Sequence, residues 1–322
     1  MKITAFGRWI RRSWKKLLLG FCAVSAGVLV IVLVHYNVPE ERSKALAGLQ
    51  RLLGLNQPIA GEASDDFEII GHRGSGEGLE NTRGSIGYGV DSHVDWLEID
   101  VRQCGQTLVL FHDPAIDGWL KAIKKNEYEG ERELARLDLG ALRRIQGNAE
   151  RKDEVPVLDD LFADYPPSGG HERWLIDIKE VGIGEKLLEI LRNHGFENYR
   201  DRVILLGVFD IIAEYKDSGY TLAYAAGWSE GSNRTRLLFG HSFITERCVD
   251  LGDSLKYLAL PELFLSGDLI EAVKRAKPEI RVWTYLGETP GSWRKSLAFG
   301  VSGLIVDHVE EAQQFRSSAR EE

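Results

Sequence analysis

Glu98 and Asp100 stand two residues apart in Trp96-Leu-Glu-Ile-Asp-Val101, a strand-like run whose alternation sends both carboxylates out of one face. A third acid, Asp177, lies near the end of Trp174-Leu-Ile-Asp-Ile178. His72 and His112 each follow a short apolar run, Phe67 to Ile70 and Leu108 to Phe111, and each has an ionisable neighbour, Arg73 and Asp113. Apolar strands that end in ionisable side chains are costly unless something binds there, because buried charge must be paired or liganded. Three carboxylates offer hard oxygen ligands of the kind that suit Mg2+ or Ca2+. The competing reading is a salt-bridge network with Arg73 and Lys179, which gathers charge in the same way. The two imidazoles titrate near neutrality and suit a general base and a general acid. His72, beside Arg73, is expected as the base and His112 as the acid. Arg73 and Lys179 suit an anionic phosphoryl group, the guanidinium binding two oxygens at once. His308 follows Asp307 at the end of a late apolar run and is a weaker candidate, and the remaining histidines have no such setting.

These residues need a scaffold that gathers strand ends. After residue 67 the chain alternates strand-like runs with helical spacing. Runs recur at Trp174 to Ile178, Val203 to Leu206, Leu222 to Ala225, Tyr257 to Leu260, Ile280 to Tyr285 and Leu304 to Val306. Helical patterns at Ile183 to His194, Ile211 to Asp217, Asp268 to Lys277 and Ser292 to Phe299 separate several of them. Alternation over this length predicts a parallel sheet closed into a (β/α)8 barrel of the TIM type. Nine runs are one too many. Val101 and Leu108 are too close for a parallel crossover, which takes a dozen residues or more, so the third run should fold back on the second as a hairpin. A turn centred on Gly105 sets residue 112 opposite residue 98, and puts His112 beside Glu98 at the rim where barrel active sites lie. A one-residue slip would send every side chain to the other face. A highly charged segment with helical spacing, about 114–154, follows as an insert on this strand-2 hairpin extension.

The N-terminus is of a different kind. Residues 1–16 carry six basic and no acidic side chains, and residues 17–34 carry no charge. At about 1.5 Å per helical residue that run nearly spans a bilayer core of ~30 Å. It is long for the apolar core of a cleaved signal peptide, and Ala45-Leu46-Ala47 lies too far beyond it for cleavage. One N-terminal transmembrane helix is therefore expected, with residues 1–16 cytoplasmic and the rest of the chain extracytoplasmic (periplasmic in a bacterium). Residues 35–66 read as a juxtamembrane helix and linker, and the catalytic barrel as 67–315. Without the six N-terminal basic residues the chain holds 34 basic against 49 acidic side chains, a poor partner for nucleic acid. Cys22, Cys104 and Cys248 form no disulfide or zinc spacing. The turn Gly74-Ser-Gly-Glu-Gly78 lacks the third glycine of a dinucleotide fingerprint, which has Leu79 in its place.

Taken together, the motifs resemble the glycerophosphodiester phosphodiesterase family, within the phospholipase-C-like phosphodiesterase superfamily. The resemblance rests on His72-Arg73-Gly74, Glu80-Asn81-Thr82, Glu98-Ile-Asp100, His112-Asp113 and Asp177-Ile-Lys179. Val282-Trp283-Thr284 and Gly303-Leu-Ile-Val-Asp307 look like its closing signatures. It implies a TIM barrel that hydrolyses glycerophosphodiesters to glycerol 3-phosphate and an alcohol. It also implies one divalent cation on Glu98, Asp100 and Asp177, His72 and His112 as the proton-transfer pair, and Glu80, Asn81 and Trp283 as supporting or substrate-binding residues. Three positions depart from the pattern: Leu79 replaces a proline, Asp177 a glutamate, and Gln103-Cys-Gly-Gln106 the usual T-x-D-G turn. The shorter acid is similar to the sphingomyelinase D branch. A lysophospholipase D or sphingomyelinase D-like activity on membrane lipids is thus an alternative, with a lysophospholipid in place of the soluble diester. An inactive membrane-anchored binding barrel is a second alternative, opposed by the ionisable side chains kept at every position expected to do chemistry.

Overall fold

The computed structural model describes residues 67–75, 78–125, 127–147, 153–227 and 241–319. Eight parallel strands close on themselves. In chain order they are β1 (Glu68–Gly71), β2 (Trp96–Cys104), β4 (Trp174–Ile178), β5 (Val203–Gly207), β6 (Thr221–Ala225), β7 (Leu255–Pro261), β8 (Arg281–Tyr285) and β9 (Gly303–Val306). β1 pairs with β2 on one side and with β9 on the other, which completes the ring. The ninth strand, β3 (Thr107–Leu110), lies outside the ring, antiparallel to the far half of β2.

The helices follow the strands as the alternation requires: α1 (Arg83–Asp91), α2 (Asp117–Ala122), α3 (Leu139–Gln146), α4 (Leu158–Asp164), α5 (Gly184–Asn193), α6 (Phe209–Ile212), α7 (His241–Asp250), α8 (Gly267–Ala276), α9 (Pro290–Ala298) and α10 (Val309–Ala319). Each strand is buried on both faces, and the period-2 alternation sorts its residues into two cores. One set, including Ile69, Leu97, Ile99, Ile176, Leu205 and Val282, packs against the helices. The other, including Ile70, Trp96, Leu175, Ile204 and Trp283, fills the barrel. A third cluster, from Val109 and Phe111 to Leu142 and Ile145, seals the insert onto β3.

The hairpin register is shifted by one residue from the expected one. Val101 faces Leu110 and Cys104 faces Thr107, so the turn is the pair Gly105-Gln106. Gly105 has φ +57°, and a Cβ there would lie 2.9 Å from the Leu137 carbonyl oxygen, so this tight two-residue turn sets the register. The ladder stops at Leu110 and never reaches Glu98. His112 enters the site from the segment beyond β3, with Arg102 Nε donating to its carbonyl oxygen at 2.7 Å.

Among the described residues no helix is long and apolar enough to cross a membrane. The span expected at 17–34, the basic segment 1–16 and the linker 35–66 lie outside the described residues.

Candidate active site

The parallel pairing of β2 with β4 sets Asp100 directly beside Asp177, two residues along from the pair Glu98 and Leu175. All three side chains point into the barrel at its C-terminal end, and ligand oxygens of Glu98, Asp100 and Asp177 lie within 4.8 Å of one another. Glu98 and Asp100 are 2% and 1% exposed, so their charge must be answered locally. Lys179 Nζ sits 2.8 Å from Asp100 Oδ1 and also pairs with Asp177, while Arg73 Nε lies 3.2 Å from Asp100 Oδ2. The competing salt-bridge network is therefore present, made by the same residues.

It does not satisfy the cluster. Asp100 Oδ1 is buried, and Lys179 Nζ at 2.8 Å is its partner, so one lysine is shared between the Asp100 and Asp177 carboxylates. Burial, then Asp100 and Asp177, push the Glu98 carboxyl well above its ordinary range. Burial also raises Asp177, helped by Asp100 and opposed by Lys179. Asp100 goes the other way: burial pushes it up, but Lys179, Arg73 and His112 outweigh burial and hold it well below its ordinary range. Two cations thus favour the ionised form of Asp100 and leave Glu98 and Asp177 harder to ionise. A divalent cation is what would let all three ionise, and the all-oxygen donor set fits Mg2+ or Ca2+.

The segment around Glu80-Asn81-Thr82 holds the cluster from the side. Thr82 caps α1, its hydroxyl accepting from Ser85 N–H while Ser85 Oγ accepts from Thr82 N–H at 3.1 Å, a reciprocal box. Asn81 adopts a left-handed φ of 54°, which asparagine tolerates better than most residues. In that turn its side chain reaches Asp100. Glu80 pairs with the Arg73 guanidinium, and Arg73 N–H donates to Glu98 Oε2 at 2.7 Å. Gly74, at φ +92°, lies so close to α1 that a Cβ would meet Ile86 and Ser85 at 2.7 Å. The tight turn after β1 therefore needs glycine there.

The two histidines face one cleft of about 490 Å³, which Asn81 and Asp307 also line. His72 Nδ1 is 2.7 Å from Asp307 Oδ1, and His112 Nδ1 is 2.8 Å from Asp113 Oδ1. Each ring is oriented by a carboxylate at Nδ1, which leaves Nε2 for chemistry. Burial lowers the pKa of His112, opposed by Asp100 and assisted by Lys179 and Arg73. Burial would raise Asp307, but the His72 hydrogen bond and nearby cations prevail and keep it low.

Trp283 is not part of this group. It is fully buried inside the barrel, and its indole N–H donates to Glu68 Oε2 at 2.8 Å near the start of β1. Trp96 donates to the same carboxylate at 3.2 Å, so Glu68 answers two buried indoles. The orienting carboxylates Asp113 and Asp307 carry no role in the sequence reading. Barrel closure was the available signal for Asp307, because the last strand must lie beside the first and so beside His72.

A closed parallel barrel with a carboxylate cluster and a carboxylate-backed imidazole pair at its C-terminal rim defines a rim-site barrel hydrolase. The chain belongs to the glycerophosphoryl diester phosphodiesterase family, whose family model matches residues 72–311, and it is a phosphoric diester hydrolase. Its fold is similar to that of a glycerophosphodiester phosphodiesterase from Parabacteroides distasonis, with TM-score 0.60, 15% identity, and coverage of 80% of this chain and 99% of that one. The Thermotoga maritima glycerophosphodiester phosphodiesterase gives TM-score 0.58 and 18% identity over 77% of this chain and 97% of that one. An Oleispira antarctica phosphodiesterase, solved with the product sn-glycerol-3-phosphate, gives 0.54 and 16% over 78% and 96%. No curated protein matches the chain.

Proposed function

We propose that the chain hydrolyses glycerophosphodiesters to glycerol 3-phosphate and an alcohol, using one divalent cation held by Glu98, Asp100 and Asp177 and proton transfer by His72 and His112. The observation that carries this reading is the pair of imidazoles on one cleft, each backed by a carboxylate, beside a buried cluster of three carboxylates. When bound, the cation supplies Lewis-acid stabilisation of a phosphoryl oxygen. Arg73 and Lys179 add fixed positive charge against the phosphoryl group. Asn81 holds Asp100, and Glu80 holds Arg73.

The division of labour that fits these side chains reverses the one suggested by sequence. His112, its pKa lowered by burial, is neutral at pH 7 and accepts the proton of the attacking oxygen. His72 stands on an ionised Asp307, which compensates an imidazolium, and it gives its proton to the departing alkoxide.

A second reading concerns the leaving alcohol. Phe111, Trp119, Ala122 and Val155, from the segment that follows β3, line the cleft with apolar surface, and Leu79 adds to it from the β1–α1 connection. Phe111 and Trp119 meet edge to face at 6.1 Å. That wall favours an alcohol with an apolar portion, as in a lysophospholipid. The uncharged run 17–34 supports an anchored chain whose barrel faces the extracytoplasmic side, near such lipids.

The test is the product formed in 18O-labelled water from glycerophosphocholine. Glycerol 3-phosphate carrying one 18O on phosphorus is expected. Choline phosphate as the phosphorylated product would overturn the reading.

A further inference from the structure

Behind His72 stands a second carboxylate that the reaction as described leaves idle. Asp307, the partner of His72 Nδ1, donates its backbone N–H to Glu288 Oε2 at 3.1 Å, and the His308 N–H also reaches Glu288. Glu288 lies in the short connection from β8 to α9. Leu286 takes φ +69° there although it is exposed. A Cβ on Gly287 would displace the Ser292 hydroxyl, 2.2 Å away, which itself donates to Glu262. A strained Leu286 ahead of Gly287 and Glu288 shapes the loop that delivers one carboxylate to the turn that carries Asp307.

We infer that Glu288 is a positioning residue for the His72–Asp307 pair, and that its protonation state sets how tightly His72 holds a proton. The inference rests on the reading of His72 as a proton-transfer group. Geometry supplies the coupling, because Glu288 fixes the main chain of Asp307 and Asp307 fixes the imidazole.

The charges around the pair give it a direction. Burial, then the charge of Asp307, push the Glu288 carboxyl up to about 8, with Glu311 adding and the two backbone N–H groups opposing. Facing Asp307 are His72, Arg73 and His308, which with the His72 hydrogen bond outweigh burial. Glu262, beside Gly287, is engaged by Ser292 and Lys295. At neutral pH Glu288 is therefore uncharged and Asp307 charged. Above about pH 8 Glu288 ionises, and a second negative charge behind the imidazole binds its proton more tightly.

The experiment is a histidine-selective NMR titration of the full chain, with the His72 signal assigned by its loss in His72→Ala. The wild type should show a second inflection of the His72 signal near pH 8, and Glu288→Gln should lack it. Gln keeps an acceptor for the Asp307 N–H but cannot ionise, so this variant separates charge from packing. Glu288→Ala, which removes the acceptor as well, should lower kcat roughly tenfold with KM little changed, the size of effect seen for outer partners of ligand side chains. A wild-type His72 signal with no inflection near pH 8, or one that persists in Glu288→Gln, overturns the inference. The NMR result does not depend on turnover. A missing diester hydrolysis beside the expected inflection would overturn the reading of the reaction and leave the Glu288 coupling standing.

Discussion

Asn81 and Asp100 clasp each other. Asn81 Nδ2 donates to Asp100 Oδ2 at 2.7 Å, and Asn81 Oδ1 accepts the Asp100 backbone N–H at 3.0 Å. Both residues are buried, so the clasp fixes the rotamer of the most strongly ionised acid in the cluster. Asn81→Ala should leave the Asp100 N–H without a partner, a loss of about 1–3 kcal/mol. Thermal unfolding should register that cost. Activity should fall further than the lost stability explains, because Asp100 is no longer held in place. Unchanged kcat/KM in a destabilised variant would make Asn81 a structural residue alone.

The histidine roles predict a substrate-dependent rescue. Each proton transfer is worth roughly 10² to 10⁴ in rate, so His72→Ala and His112→Ala should both lose about that much on an ordinary diester. A p-nitrophenyl ester leaves without an acid and should restore much of the His72→Ala loss and little of the His112→Ala loss. The kcat/KM profile of the wild type should fall on its acid side through a pKa below 6.5, the ordinary imidazole value, because burial lowers His112 and protonation removes the base. Rescue of His112→Ala instead would exchange the two roles.

Much of this arrangement is legible in the sequence, and the exceptions have physical reasons. The alternation Glu98-x-Asp100 gives the inward face of β2 directly, because a strand has only two faces. The short gap from Val101 to Leu108 requires a hairpin and so leaves eight ring strands. The register is less accessible: whether the turn is one or two residues depends on the close approach of Gly105 to Leu137, far along the chain. Trp283 shares a sequence signature with site residues, yet its indole N–H needs a buried acceptor and finds it in Glu68, deep in the barrel. Glu288 lies in no motif. Its role comes from a loop conformation that spacing cannot reveal.

The apolar wall of the cleft predicts selectivity in the leaving alcohol. Trp119 Nε1 is buried and has no hydrogen-bond partner among the described residues, and its ring packs on Phe111. Trp119→Ala should cost about 1–3 kcal/mol of discrimination between an alkyl ester and a glycerol ester of the same phosphate. Competition between a lysophospholipid and glycerophosphocholine reads this directly. An equal loss on both substrates would confine Trp119 to packing of the insert.

The N-terminal charge pattern predicts a topology. Under the proposed anchoring, the six basic residues ahead of the uncharged run 17–34 stay in the cytoplasm. Protease added to intact spheroplasts should therefore degrade the barrel. Full protection would put the barrel in the cytoplasm, and a processed mature form starting after Ala47 would show the run to be a signal peptide.

In the proposed reaction the buried acid cluster works by holding a divalent cation. Hydrolysis of glycerophosphocholine by the wild type and by Asp100→Asn, each assayed with EDTA and after Mg2+ or Ca2+ is restored, tests it most directly. The wild type should lose activity in EDTA and regain it with the cation, while Asp100→Asn should stay folded and inactive throughout. Turnover by Asp100→Asn at the wild-type rate, insensitive to EDTA, would contradict the account.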